Sequence, residues 1–139
     1  MRSAVIVVGL LAICVLGPVG TALAESMESL QGAWAMMGTS CTDTFEFSGS
    51  EAKFKDRGSS LNTGIIIRGD KIAGPNATCT ASHISESKGQ YKVHMSCADA
   101  IMFSSVTVSF AIVDPQHFRR IDPDFPEVTD DYQKCIPPQ

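Results

Sequence analysis

The cysteines constrain the fold of this chain more than any other feature of its sequence. Four of the five lie beyond residue 24, at Cys41, Cys79, Cys97 and Cys135. Between the second and third of these, two stretches of alternating polar and apolar residues flank Ser87-Lys88-Gly89. That pattern predicts a hairpin with a three-residue loop and Gly89 in the left-handed conformation. Such a loop would place Cys79 directly opposite Cys97.

Two disulfide bonds are therefore expected, because an even number of cysteines is typical of a disulfide framework in an exported domain, and the N-terminal segment described below indicates export. The hairpin pairs Cys79 with Cys97, and Cys41 remains for Cys135. In the chain-entropy view, a loop of about twenty residues is worth roughly 3 kcal/mol and one near a hundred about 4.7 kcal/mol. A zinc site on these thiols is disfavoured because C-x-x-C spacing is absent. No metal site is predicted.

The hairpin register also makes a prediction about two histidines. It points His83 inward, onto the apolar face with Ala81, and His94 outward, so that the two imidazoles could not bind one metal ion. On this register Ile84 is an exception, an apolar residue on the polar face.

Export is inferred from the first 24 residues, which have the three zones of a secretory signal peptide. Arg2 supplies the positive charge, residues 4–16 form an apolar run, and Ala22-Leu23-Ala24 matches a signal-peptidase site. The apolar run is too short to cross a hydrocarbon layer of ~30 Å. We expect residues 25–139 to be a single periplasmic or secreted domain with no membrane association after cleavage.

Short strands separated by turn residues account for most of this domain, and the expected fold is all-β. The clearest alternation is in one long strand, where Val106, Val108, Phe110 and Ile112 share a face. Residues 45–54 are predicted to form a hairpin that turns at Ser48-Gly49-Ser50, and other predicted strands lie around residues 64–73, 117–121 and 132–136. About eight strands in a meander predict a small antiparallel barrel or sandwich, with the bridge from Cys41 to Cys135 joining its start to its end.

One resemblance is carried by Gly32-Ala33-Trp34, which is similar to the Gly-x-Trp signature of lipocalin-like (calycin) barrels. The resemblance implies that Trp34 seals the closed end of a barrel and packs against a basic side chain, a role that Arg119 or Arg120 could fill by position. It also implies an interior that binds an apolar ligand. The candidate lining residues are Trp34, Phe45, Phe47, Phe54, Ile65, Ile67, Val108 and Phe110.

A second resemblance is carried by Tyr132-Gln133-Lys134-Cys135, which is similar to the ending of small periplasmic lysozyme inhibitors. It implies a protein-binding module whose surface loop enters the cleft of a cell-wall-degrading enzyme. The net charge of −4 for the whole chain favours a basic protein partner through electrostatic steering.

The same charge excludes phosphate-backbone binding as a main activity, so nucleic acid is not an expected partner. No Gly-x-Ser-x-Gly motif and no unpaired cysteine of the mature domain points to a nucleophile. We therefore expect a non-enzymatic binding protein without a cofactor. Its ligand would be a small apolar molecule or, alternatively, a basic protein.

Overall fold

The structure is a computed structural model that describes residues 27–56 and 63–139, and it is an all-β fold. The strands are β1 (Gly32–Met36), β2 (Phe45–Ser48), β3 (Glu51–Phe54), β4 (Gly64–Arg68), β5 (Lys71–Ala73), β6 (Thr78–Ser87), β7 (Gln90–Ala98), β8 (Phe103–Asp114), β9 (His117–Ile121) and β10 (Thr129–Cys135). A 3-10 turn over Glu28–Leu30 precedes β1, and a short helix α1 (Cys41–Thr44) precedes β2. The predicted signal peptide, residues 1–24, lies outside the described residues. None of the described helices is long and apolar enough to span a membrane.

Eight of the strands form a closed antiparallel barrel in the order β1-β10-β9-β8-β7-β6-β5-β4. From β4 to β10 each strand pairs with its neighbour in sequence, which is the expected meander. The barrel closes at β1, where Trp34 lies opposite Lys134 of β10 on one side and Ile65 of β4 on the other. The fold is thus a barrel and not a sandwich.

The two ends of the barrel differ in how they are filled. One end, called the closed end here, carries the short turns at residues 69–70, 88–89 and 115–116 and the 3-10 turn before β1. Met27 and Leu30 of that N-terminal segment are fully buried against the interior core. The other end, called the open end, carries the loops at residues 74–77, 99–102 and 122–128.

A second apolar cluster lies outside the barrel, where the β2–β3 hairpin packs against the outer face of β1, β4 and β10. Phe45 and Phe54 are buried there with their ring centroids 5.1 Å apart, and Phe47 packs beside them. The hairpin was predicted correctly, with its turn at Gly49. The three phenylalanines were expected to line the barrel interior, and instead they cover its outer wall.

Both predicted disulfides are present. Cys41 of α1 is bonded to Cys135 of β10 across 94 residues, and it ties the segment before the outer hairpin to the last strand. Cys79 is bonded to Cys97 directly across the β6–β7 hairpin. Both Cys79 and Cys97 pack against the interior core, so this bridge faces the lumen.

The register of the β6–β7 hairpin differs from the prediction in one half. The turn holds two residues, Lys88 and Gly89, both with positive φ (53° and 75°), as a type I′ turn requires. A bulge between Ala81 and His83 then restores the predicted pairing at the cysteines. The prediction placed the extra residue of this hairpin in the loop, whereas the structure places it in β6, at the bulge.

This bulge changes which side chains face outward. His83 lies opposite His94, and both are exposed on the outer wall. Ile84 turns inward and packs against the core opposite Val93. The expectation of an inward His83 was therefore wrong, and the apparent exception at Ile84 disappears.

Candidate functional site

The barrel interior contains a cavity of about 360 Å³ at its open end. This volume falls in the range of about 300–1,000 Å³ that is typical of small-molecule sites. The walls are mainly aliphatic and aromatic side chains, with backbone from one loop and a few polar groups at the mouth. The lining residues are Ile65, Ile72, Gly74, Pro75, Asn76, Ala77, Cys79, Met95, Val106, Thr107, Val108, Phe110, Arg120 and Asp122.

A cluster of aromatic rings fills the barrel below this cavity. Phe118 is at its centre: its ring lies 4.8 Å from Trp34, 5.5 Å from Phe110 and 4.9 Å from Tyr132, measured between centroids. Trp34, Phe118 and Tyr132 are almost completely buried. The closed half of the interior is therefore solid, and the space for a ligand lies in the open half.

The alternation of side chains along the strands determines which residues of β4, β7 and β8 face the cavity. On β8, Val106, Val108 and Phe110 point inward because alternate residues face the same side of a sheet. On β7, Met95 lies opposite Val106. On β4, Ile65 lies beside Trp34, one step nearer the open end than Ile67.

The polar groups of the cavity come from β9 and the loop that follows it. Arg120 lies opposite Phe110 on one side and Asp130 on the other, so its side chain shares their inward face. Its Nη1 is 3.6 Å from Oδ2 of Asp130. Oδ1 of Asp122, which also lines the cavity, accepts a hydrogen bond of 2.9 Å from the backbone N–H of Asp124. The mouth thus holds an ion pair and a second carboxylate above an apolar interior.

Of the eight residues predicted to bind a ligand, the structure brings three to the cavity: Ile65, Val108 and Phe110. Trp34 and Ile67 lie in the packed part of the interior core. The three phenylalanines of the outer hairpin are in the separate cluster described above. Sequence reasoning missed Ile72, Met95, Arg120 and the loop at residues 74–77. Two of these carried a usable signal, because Met95 alternates with Val93 on β7 and Arg120 alternates with Phe118 on β9.

The basic partner of Trp34 is Lys134, not Arg119 or Arg120. Nζ of Lys134 lies 5.2 Å from the centroid of the Trp34 ring. Arg119 instead forms a two-pronged ion pair with Asp131, with its Nε 2.6 Å from Oδ1 and its Nη2 3.1 Å from Oδ2. This pair lies on the outer face of the barrel and holds the pKa of Asp131 below its ordinary value, chiefly through hydrogen bonding from Arg119.

None of the three histidines lines the cavity, although His94 contacts Thr107, which is one of the lining residues. His94 shares a hydrogen bond of 3.0 Å between its Nδ1 and Oγ1 of Thr107 on the outer wall, where His83 is its cross-strand neighbour. His117 lies 2.9 Å from both carboxylate oxygens of Asp114 at the closed end. Within residues 27–56 and 63–139, no group of three or more His, Cys, Asp or Glu side chains is arranged to hold a metal ion.

The fold and its cavity define a small eight-stranded β-barrel with two disulfide bonds, a construction compatible with an extracellular location. No protein-family model, no curated protein and no solved structure matches this chain.

Proposed function

We propose that this protein is exported to a periplasm or secreted, and that it binds a small apolar ligand in the cavity at the open end of the barrel. The observation that carries the proposal is the cavity itself, about 360 Å³ of space between Ile65, Met95, Val108 and their neighbours. Small eight-stranded barrels commonly fill their interiors with side chains. Here the aromatic cluster fills the closed half and leaves the open half available.

The chemistry of the walls supports this class of ligand. Burial of apolar surface is worth about 25 cal/mol per Å², and the side chains of Ile72, Val106 and Phe110 offer such surface. Arg120 at the mouth is paired with Asp130, so the site does not present an unpaired cation to the ligand. The best fit is a compact apolar molecule with at most one polar group, which would lie toward Arg120 and Asp122.

A fluorescence titration with a naphthalene-based dye that brightens in apolar surroundings tests this proposal. We expect saturable 1:1 binding to the disulfide-bonded protein. Val108→Phe and Ala77→Phe each place a ring in the cavity, from β8 and from the open-end loop, and should weaken binding at least severalfold. Val113→Phe is the matched control, because Val113 is an exposed residue of β8 at the closed end. Equal binding by all four proteins would refute the proposal.

A protein-binding module is the second candidate function, and a separate observation favours it. Ile101 and Phe103 beside the open end are each more than 90% exposed. Exposed apolar clusters on a small protein are typical of interaction surfaces. Inhibition of a basic muramidase at low salt that is lost at high salt would support a periplasmic inhibitor of a cell-wall-degrading enzyme, and unchanged muramidase activity would count against it.

A further inference from the structure

Strand β8 extends well beyond its neighbour β9. The last pair between them joins Ser109 to Ile121, and Pro123 follows in the loop, where it cannot donate a ladder hydrogen bond. Residues 103–108 pair only with β7, on the other side of β8. In the part of the chain that the structure describes, no strand pairs with the second edge of this segment.

This open edge, residues 103–108, has the chemistry of an acceptor for another strand. Its sequence, FSSVTV, is rich in β-forming residues and contains no charge and no proline. Alternate residues of an antiparallel strand direct their N–H and C=O groups to the same side, so about half of the six face the open edge. Natural edges are usually protected by lysine, proline or a bulge, and none of these occurs here.

The loops that flank the open edge are acidic and apolar. Residues 99–102 and 122–128 contain Asp99, Asp122, Asp124 and Glu127 and no lysine or arginine. Between these carboxylates the side chains of Ile101, Met102, Phe125 and Val128 are exposed. The carboxylate of Asp99 accepts hydrogen bonds from the backbone N–H groups of Ile101 and Met102, at 2.7 and 2.8 Å, which fixes the shape of the β7–β8 loop.

We propose that the open edge of β8 is a docking site for a basic protein, which adds an extended segment as a further strand. Main-chain hydrogen bonds would supply affinity, as in other cases of strand addition, and basic side chains of the segment would meet the flanking carboxylates. A second copy of this chain fits the edge less well, because it would bring the same carboxylates toward each other. The docking site borders the cavity, because Val106, Thr107 and Val108 belong both to this edge and to the cavity wall. Docking would use their backbone groups and does not require a ligand in the cavity.

A short capped peptide of alternating lysine and valine is the probe for this site. Bound to the purified disulfide-bonded protein, it should slow hydrogen exchange of alternate amides within residues 103–108 by about tenfold or more. The matching peptide of glutamate and valine should leave exchange unchanged, and so should a fully N-methylated lysine–valine peptide, which keeps the charges but has lost its backbone donors. These two controls separate strand addition from simple charge attraction.

Two variants test the flanking charges. Asp124→Lys combined with Glu127→Lys should weaken binding of the lysine–valine peptide severalfold, whereas Asp70→Lys, in a closed-end turn, should not. Peptide binding that leaves the hydrogen exchange of residues 103–108 unchanged would overturn the proposal. Slow exchange, in the free protein, of the amides that face away from β7 would also overturn it, because it would mean that the edge is already covered. A stable dimer formed through β8 would assign the edge to a second copy and would also overturn it. The peptide experiments are done without the dye, so a failure of the dye to bind would count against the cavity proposal alone.

Discussion

Nζ of Lys134 lies over the Trp34 ring, 5.2 Å from its centroid, at the point where the first and last strands of the barrel meet. The same indole donates a hydrogen bond of 2.8 Å from Nε1 to the carbonyl oxygen of Leu30, in the turn that covers the closed end. One side chain therefore links the N-terminal turn, β1 and β10, and packs against Phe118 on β9.

Trp34→Phe should destabilise the protein by about 2–4 kcal/mol, because it leaves a void beside Phe118 and removes the donor to Leu30. Urea unfolding followed by far-UV circular dichroism measures the change. Lys134→Met retains most of the packing over the ring and should cost less than about 1 kcal/mol. Equal losses for the two variants would show that Trp34 is not the main contributor at this closure.

Gly64 is a position where any side chain would collide with its surroundings. A Cβ there would lie 2.6 Å from the backbone oxygen of Trp34 and 2.8 Å from Cζ of Phe45. Gly64→Ala should therefore cost about 1–3 kcal/mol. Gly74→Ala is the matched control, since its nearest neighbour would be the carbonyl oxygen of Ala77 at 3.8 Å, an ordinary contact. A neutral Gly64→Ala would contradict the close approach of the outer hairpin to β4.

The two disulfides should contribute unequally to stability. The bridge from Cys41 to Cys135 closes 94 residues and the bridge from Cys79 to Cys97 closes 18, so the entropy model gives about 4.7 against about 3 kcal/mol. Paired cysteine-to-alanine variants, compared by their urea midpoints, should show the larger loss for the long bridge. The reverse order would mean that packing of the inner bridge against the lumen outweighs loop entropy.

Stability should fall in acid partly through the ion pair between Arg119 and Asp131. Hydrogen bonding from Arg119 lowers the pKa of Asp131 from 3.8, so the folded state binds a proton less readily than the unfolded chain. The ion pair therefore stabilises the folded state fully above the pKa that Asp131 has in the unfolded chain, near pH 4. This stabilisation is lost as the pH falls through the lower pKa of Asp131 in the folded state. Asp131→Asn and Arg119→Gln should each flatten the dependence of unfolding free energy on pH in that window. An unchanged acid profile in both variants would contradict the assignment.

The fold could be predicted from the sequence because its strands are short, alternate clearly and end at turn residues. The even cysteine count and the hairpin between Cys79 and Cys97 were sufficient for both disulfides. The register error at His83 arose because a two-residue turn with a bulge and a three-residue loop place the cysteines opposite each other equally well. Only the burial of Ile84 distinguishes these two arrangements, and on the predicted register Ile84 is an exception to the pattern.

The site was harder to predict, because alternation shows that one face is apolar but not which apolar cluster it joins. Phe45, Phe47 and Phe54 alternate as well as Val106 and Val108 do, yet they cover the outside of the barrel. They pack with the Cys41–Cys135 bridge in that outer cluster, and Gly64 leaves the space that the Phe45 ring occupies. Likewise, the cavity exists because the rings around Phe118 fill only the closed half of the barrel. The alternation of polar and apolar residues does not show how much of the interior the side chains fill.

The central claim is that the open-end cavity takes up a small apolar ligand. A titration of methyl-labelled protein with a medium-chain alcohol, followed by NMR, tests it most directly. We predict saturable 1:1 shifts of the methyl signals of Ile65, Ile72, Met95 and Val108, and none at Val113 or at Ile136, which lie outside the barrel interior. Unmoved cavity methyls, or shifts confined to the exposed residues of the surface, would contradict the account.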